Sequence, residues 1–107
     1  MKILITEFME VKCVEVLKIN FDVTVDYDLS ANSNELKKII SKFDALIVRN
    51  KTQVKKEVLE KATNLKFIGR LGVGLDNIDN EYCEKKNIHV QVASGINADS
   101  VAEYVIG

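Results

Sequence analysis

Proline and tryptophan are absent from this 107-residue chain, and histidine occurs once. With no proline, no repeat and no low-complexity stretch, nothing in the sequence marks a linker, and the length fits one domain of ordinary size. The two cysteines, Cys13 and Cys83, lie far apart in apolar-periodic segments, with no metal-ligand spacing between them. They read as buried thiols in a reducing, cytoplasmic setting. No apolar run approaches the roughly 20 residues of a membrane span. After Lys2, only Ile3, Leu4 and Ile5 precede the polar Thr6 and Glu7, so these residues are not expected to act as a secretory leader. Fifteen Lys and Arg against sixteen Asp and Glu leave a net charge of -1, so no basic excess argues for nucleic acid.

What is present is enough for a packed core: 47% of residues are hydrophobic and 29% charged. Apolar runs at Lys2–Thr6, Val23–Val25, Asp44–Val48, Leu65–Gly69 (extended if Arg70 and Leu71 join) and Ile88–Val92 read as strands. Helical periodicity fills the gaps. Val11, Val14, Leu17 and Lys18 share a face over about residues 8–19, with Asn20 as the stop. Ser33 caps a helix carrying the Leu36, Ile39, Ile40, Phe43 stripe. Val54, Val58 and Ala62 mark a third helix. Asp79 caps a fourth, with Ile78 and Cys83 as a hydrophobic staple and Asn87 at its end. The alternation predicts an α/β fold: a flavodoxin-like five-stranded parallel sheet, order 2-1-3-4-5, with helices on both faces. Ser100 to Glu103 is a capping box opening a last helix, whose Val101, Val105 and Ile106 are expected to stay off this domain and meet another domain or another copy.

In open α/β sheets, ligands bind beyond the carboxyl ends of the strands. That rule selects Thr6-Glu7, Arg49 to Thr52, Leu71 to Gly74, and Ala93 to Asn97. Gly72-Val73-Gly74 removes side chains where a loop leaves a strand, so its N–H groups either receive an anion or merely form a turn. Arg49 closes an apolar strand; it either meets an anionic substrate or pairs with a neighbouring carboxylate. A dinucleotide fingerprint would need glycine at Asn77, and no acidic residue closes the following strand. Asp76 and Asp79 are explained by turns and capping, and His89 has no second ligand or nucleophile beside it.

The stretch from Leu65 through Gly69-Arg-Leu-Gly-Val-Gly-Leu-Asp-Asn-Ile to Asp79 closely resembles the glycine loop of D-isomer-specific 2-hydroxyacid dehydrogenases, above all their D-3-phosphoglycerate members. Ala45 to Arg49 with Thr52 and Val54, Lys85 to Ile88, and Asn97 to Glu103 agree in order, so the resemblance covers Asp44 to Gly107. It implies that Arg49 and the neighbouring Asn50 face the substrate, that Val73 and Gly74 hold its carboxylate through backbone N–H groups, and that Asn97 lies near substrate and cofactor. It further implies residues 1–97 as the N-terminal part of a substrate-binding domain and residues 98–107 as the start of a crossover helix into a nucleotide-binding domain. The implied reaction is hydride transfer between NAD and a 2-hydroxy or 2-oxo acid, in serine biosynthesis for the phosphoglycerate members. The family's acid–base groups and its cofactor motif correspond to sequence beyond Gly107, so no catalytic and no metal-ligating residue is assigned here, and the chain alone is expected to be inactive. A cytoplasmic homo-oligomer joined through the C-terminal helix is the expected assembly. Three departures leave the acid open: Asn50 replaces a common serine, Val92 a common asparagine and Ser94 a common proline. The alternative is a free-standing flavodoxin-like binding module without catalysis.

Overall fold

The computed structural model describes residues 2–93 and Val101. Five strands, β1 (Lys2–Ile5), β2 (Asp22–Val25), β3 (Ala45–Val48), β4 (Phe67–Leu71) and β5 (His89–Ala93), form one sheet in the order β2-β1-β3-β4-β5. Every neighbouring pair is parallel. The expected fold class and strand order therefore hold. The three inner strands carry apolar runs, at residues 3–5, 45–48 and 67–68, because both of their faces are covered.

Successive side chains point to opposite faces of a strand, and the core divides accordingly. Leu4, Leu46, Val48 and Ile68 face one cluster, packed under α2 (Ser33–Ile39), α3 (Lys56–Leu59) and α4 (Asn80–Lys85) through Leu36, Val58, Leu59 and Cys83. Ile3, Ile5, Ala45, Ile47, Phe67 and Leu71 face the other, packed under α1 (Val11–Asn20) through Val14 and Leu17. Among the described residues, no helix is long and apolar enough to cross a membrane.

Local departures have physical reasons. Helix α1 starts at Val11, and Val11 and Lys18 are exposed although Val14 and Leu17 are buried. Asn20 ends it without a left-handed backbone; its Nδ2 instead donates to the Val16 carbonyl at 3.2 Å. Asn32, not Ser33, caps α2, accepting from the Glu35 N–H at 3.2 Å. Two 3-10 turns, Tyr27–Ala31 and Ile40–Lys42, bracket that helix. Val54 does not belong to a helix but forms an isolated parallel bridge with Ile78. The third helix is consequently only Lys56–Leu59, with Ala62 buried beyond its end. Strand β4 does include Arg70 and Leu71. Asp79 caps α4 as expected, accepting from the Tyr82 N–H at 3.1 Å, and Asn87 takes the left-handed conformation (φ 59°) that ends the turn. Cys83 is buried and Cys13 half-buried.

The expectation that the last helix keeps its apolar face off this domain fails at Val101. That residue is 0% exposed and belongs to the cluster of Ile3, Ile5 and Leu71. The sheet face above α1 offers an apolar surface close at hand, so burial there outweighs exposure while awaiting a partner. Val105 and Ile106 lie outside the described residues.

Candidate functional site at the carboxyl edge of the sheet

Strands β1, β3 and β4 are adjacent, so the segments leaving their carboxyl ends share one edge. The first supplies Thr6 and Glu7. Glu7 is 8% exposed, yet its carboxylate accepts three backbone N–H groups: Arg49 and Thr52 at Oε2, the latter at 3.2 Å, and Lys51 at Oε1, 2.8 Å. Burying a carboxylate is costly unless such donors surround it. Thr6 and Thr52 share a buried hydroxyl hydrogen bond of 2.8 Å.

The same loop is held from the other side. Asn77 Nδ2 donates to the carbonyls of Arg49 at 2.7 Å and Thr52 at 2.8 Å. The Val54 N–H donates to the Asn77 carbonyl at 2.8 Å, and the Asp79 N–H to the Val54 carbonyl at 3.0 Å. Lys55 Nζ adds a bond to the Asp76 carbonyl at 2.5 Å. Residues 49–54 are thus clamped between the end of β1 and the segment joining β4 to α4.

On this backbone, the Arg49 and Asn50 side chains are exposed. Arg49 Nη1 makes a long contact, 3.4 Å, to the Phe8 carbonyl. The described residues form two ion pairs, Lys38–Glu35 and Lys56–Glu60, and neither involves Arg49. Of the two readings of Arg49, pairing with a neighbouring carboxylate has no support among the described residues.

Gly72 and Gly74 both adopt positive φ, 102° and 87°, a conformation that strains any residue with a Cβ. Between them Val73 is 86% exposed, which is unusual for so apolar a side chain and leaves this loop open at the edge. The loop is therefore an open turn that can present N–H groups, as the glycines suggest. Beneath it lies Arg70, 7% exposed, with Nη1 donating to the Leu71 carbonyl at 2.6 Å and Nε buried without a partner.

The structure brings Arg49, Asn50, Val73 and Gly74 to this one edge; Asn97 lies outside the described residues. His89 opens β5 at the opposite end and stacks on Phe67, centroids 5.8 Å apart. Sequence reasoning placed Glu7 and Thr52 at the edge without a role, and missed Asn77 and Arg70 as site residues. The signal for Glu7 was its position directly after β1. Asn77 was noticed only as a missing glycine, and nothing local indicated which carbonyls it would reach.

Residues 3–105 match the D-isomer specific 2-hydroxyacid dehydrogenase catalytic domain. The chain is 44% identical over 104 residues to the (S)-sulfolactate dehydrogenase of Chromohalobacter salexigens, covering 97% of this chain and 34% of that protein. It is 41% identical over 106 residues to the D-3-phosphoglycerate dehydrogenase of Methanocaldococcus jannaschii, covering 99% and 20% respectively. Among solved structures, a Pyrococcus horikoshii protein superposes with a TM-score of 0.77 at 37% identity, over 85% of this chain and 27% of that one. The NAD+-bound 3-phosphoglycerate dehydrogenase of Entamoeba histolytica does so with 0.70 at 26% identity, over 86% and 32%. The chain thus spans 34% and 20% of the lengths of the two curated relatives.

Proposed function

Since the chain belongs to the D-isomer specific 2-hydroxyacid dehydrogenase family, we propose that it forms the substrate side of an NAD-dependent dehydrogenase acting on a 2-hydroxy or 2-oxo acid. D-3-phosphoglycerate, feeding serine synthesis in the cytoplasm, is the acid we put first. The observation that carries the reading is Arg49: a cation with no carboxylate partner among the described residues, on a loop clamped by Glu7 and Asn77, beside an open glycine turn. Arginine presents a planar fork suited to carboxylate or phosphate, and the turn suits a second anionic end. Asn50 stands beside Arg49, and Asn97 joins them in this reading.

NAD supplies or takes the hydride when bound, but the described residues do not form a dinucleotide site. Asn77 stands where a fingerprint glycine would, and β5 ends in Val92 and Ala93 with no acidic residue to meet a ribose. No hydride step is assigned to this chain; its residues bind and orient the acid. Self-association through the C-terminal helix, which we also propose, has to proceed without Val101, already used in the core.

Backbone-amide NMR titrations of the chain with D-3-phosphoglycerate and (S)-sulfolactate test the reading. Saturable shifts at residues 49–52 and 72–75, tighter for phosphoglycerate, support it. Tighter sulfolactate binding replaces the substrate, and no shift with either acid ends the proposal. In the same samples NADH oxidation with the corresponding 2-oxo acids is expected to stay at the buffer blank.

A further inference from the structure

Arg70 is the only arginine other than Arg49, and its situation is the reverse. It is the penultimate residue of β4, in register with Val48 and Val92, on the inner side of the glycine turn. The residue is 7% exposed, and its Nε is buried with no acceptor among the described residues. The single bond it makes among the described residues is from Nη1 to the Leu71 carbonyl, and neither ion pair includes it. A guanidinium is always charged. Among the described residues this buried charge meets only one neutral acceptor, an arrangement that is costly unless it is used.

The neighbourhood indicates the use. A Cβ built on Gly72 would stand 2.8 Å from Arg70 Nη1, so the guanidinium occupies the space directly behind the turn. The turn itself is open at Val73 and Gly74, and nothing lies within 4 Å of where a Gly74 Cβ would be. A buried cation behind a turn whose outer side is open makes that turn an electropositive cradle, because a low local dielectric strengthens the field of the charge.

We propose that Arg70 is the built-in counter-charge for the carboxylate that the Gly72–Gly74 turn receives, so that binding of a 2-hydroxy acid completes an ion pair that the described residues do not supply. The proposal rests on the substrate-side reading above and names a positioning residue within it. Arg70 acts in two ways: Nη1 fixes the Leu71 carbonyl and with it the start of the turn, and the charge draws the anion. Substrate specificity follows, since a neutral analogue of the same shape gains nothing from the charge.

The test uses glycolate, the smallest 2-hydroxy acid, and its uncharged analogue glycolamide, at fixed ionic strength. The expected result for the wild-type chain is saturable shifts of the Gly72–Leu75 amides and of the Arg70 Nε–H with glycolate, and none with glycolamide. In Arg70→Met the glycolate affinity falls at least about tenfold, while the ligand-free melting temperature rises or holds, because a lone buried charge has been replaced by an apolar chain of similar volume. Arg70→Lys keeps the charge and recovers part of the affinity. A purely structural Arg70 gives the opposite pattern, with Arg70→Met melting lower and binding glycolate as well as wild type, and overturns the proposal. If glycolate shifts only residues 49–52 and depends on Arg49 alone, this proposal falls and the substrate-side reading stands. If glycolate shifts nothing at the edge, both fall.

Discussion

Glu7 and Asn77 hold one loop with opposite chemistry: Glu7 accepts from the N–H groups of Arg49, Lys51 and Thr52, and Asn77 donates to the carbonyls of Arg49 and Thr52. Between them, five polar backbone groups of this loop are met by side chains rather than by a sheet or helix. The loop can therefore run close to the core and still present Arg49 outward.

Glu7→Gln turns an amide donor toward backbone donors, and Asn77→Ala strips two carbonyls of their partner. Each is expected to destabilise the fold, by about 2–3 kcal/mol for Glu7→Gln and about 1–3 kcal/mol for Asn77→Ala. Because both act on one loop, the double variant should lose less than the sum. Urea denaturation of the four proteins measures this, and strict additivity would show that the two residues do not share a structural unit.

The two turn glycines are expected to differ. Gly74→Ala meets no atom within 4 Å and carries only the left-handed backbone cost, about 1–2 kcal/mol. Gly72→Ala carries that cost and also drives a methyl against Arg70 Nη1, 2.8 Å away. It should therefore be the more damaging change, and Arg70→Met should relieve part of its excess but none of the Gly74→Ala loss. Equal melting temperatures for the two alanine variants would contradict this account.

Burial, helped by the Asp79 carboxylate that caps α4, pushes the Cys83 thiol from its ordinary 9.0 up to about 11. The folded chain holds this proton through a range in which the unfolded chain has released it. Stability from Cys83 is thus intact below pH 9 and is lost as pH rises toward 11, at up to about 1.4 kcal/mol per pH unit. Comparing the wild type with Cys83→Ala between pH 8 and 10.5 isolates the slope: the wild type should lose stability faster. At pH 8, Cys83 should also resist a thiol reagent that labels the half-buried Cys13.

The sheet was legible because its signals are local and redundant. Residues 3–5, 45–48 and 67–68 are unbroken apolar runs, and right-handed crossovers leave few orders for five parallel strands. Helix α3 was misjudged because Val54, Val58 and Ala62 keep helical spacing, while Val54 is claimed by a long-range bridge to Ile78 that no periodicity encodes. At the site, Arg49 and the glycine turn could be read from their positions after strands. The roles of Asn77 and Arg70 depend on atoms brought near by the tertiary fold: the Asn77 amide reaches carbonyls 28 and 25 residues away. Val101 was misplaced for a similar reason, since an apolar stripe in a sequence does not say which of two surfaces will cover it.

The placement of β1 bears on how the chain comes to be made. Strand β1 precedes both of its partners in the sequence yet lies between them, with Ile3 in register with both Val23 and Ala45. The cluster containing Ile3 and Ile5 also includes Val101. Strand β1 thus stays unpaired on one edge until β3 has been made, and the layer around it closes only once Val101 has followed. Until then the nascent β1 depends on shelter, because its pairing and packing partners lie far along the sequence.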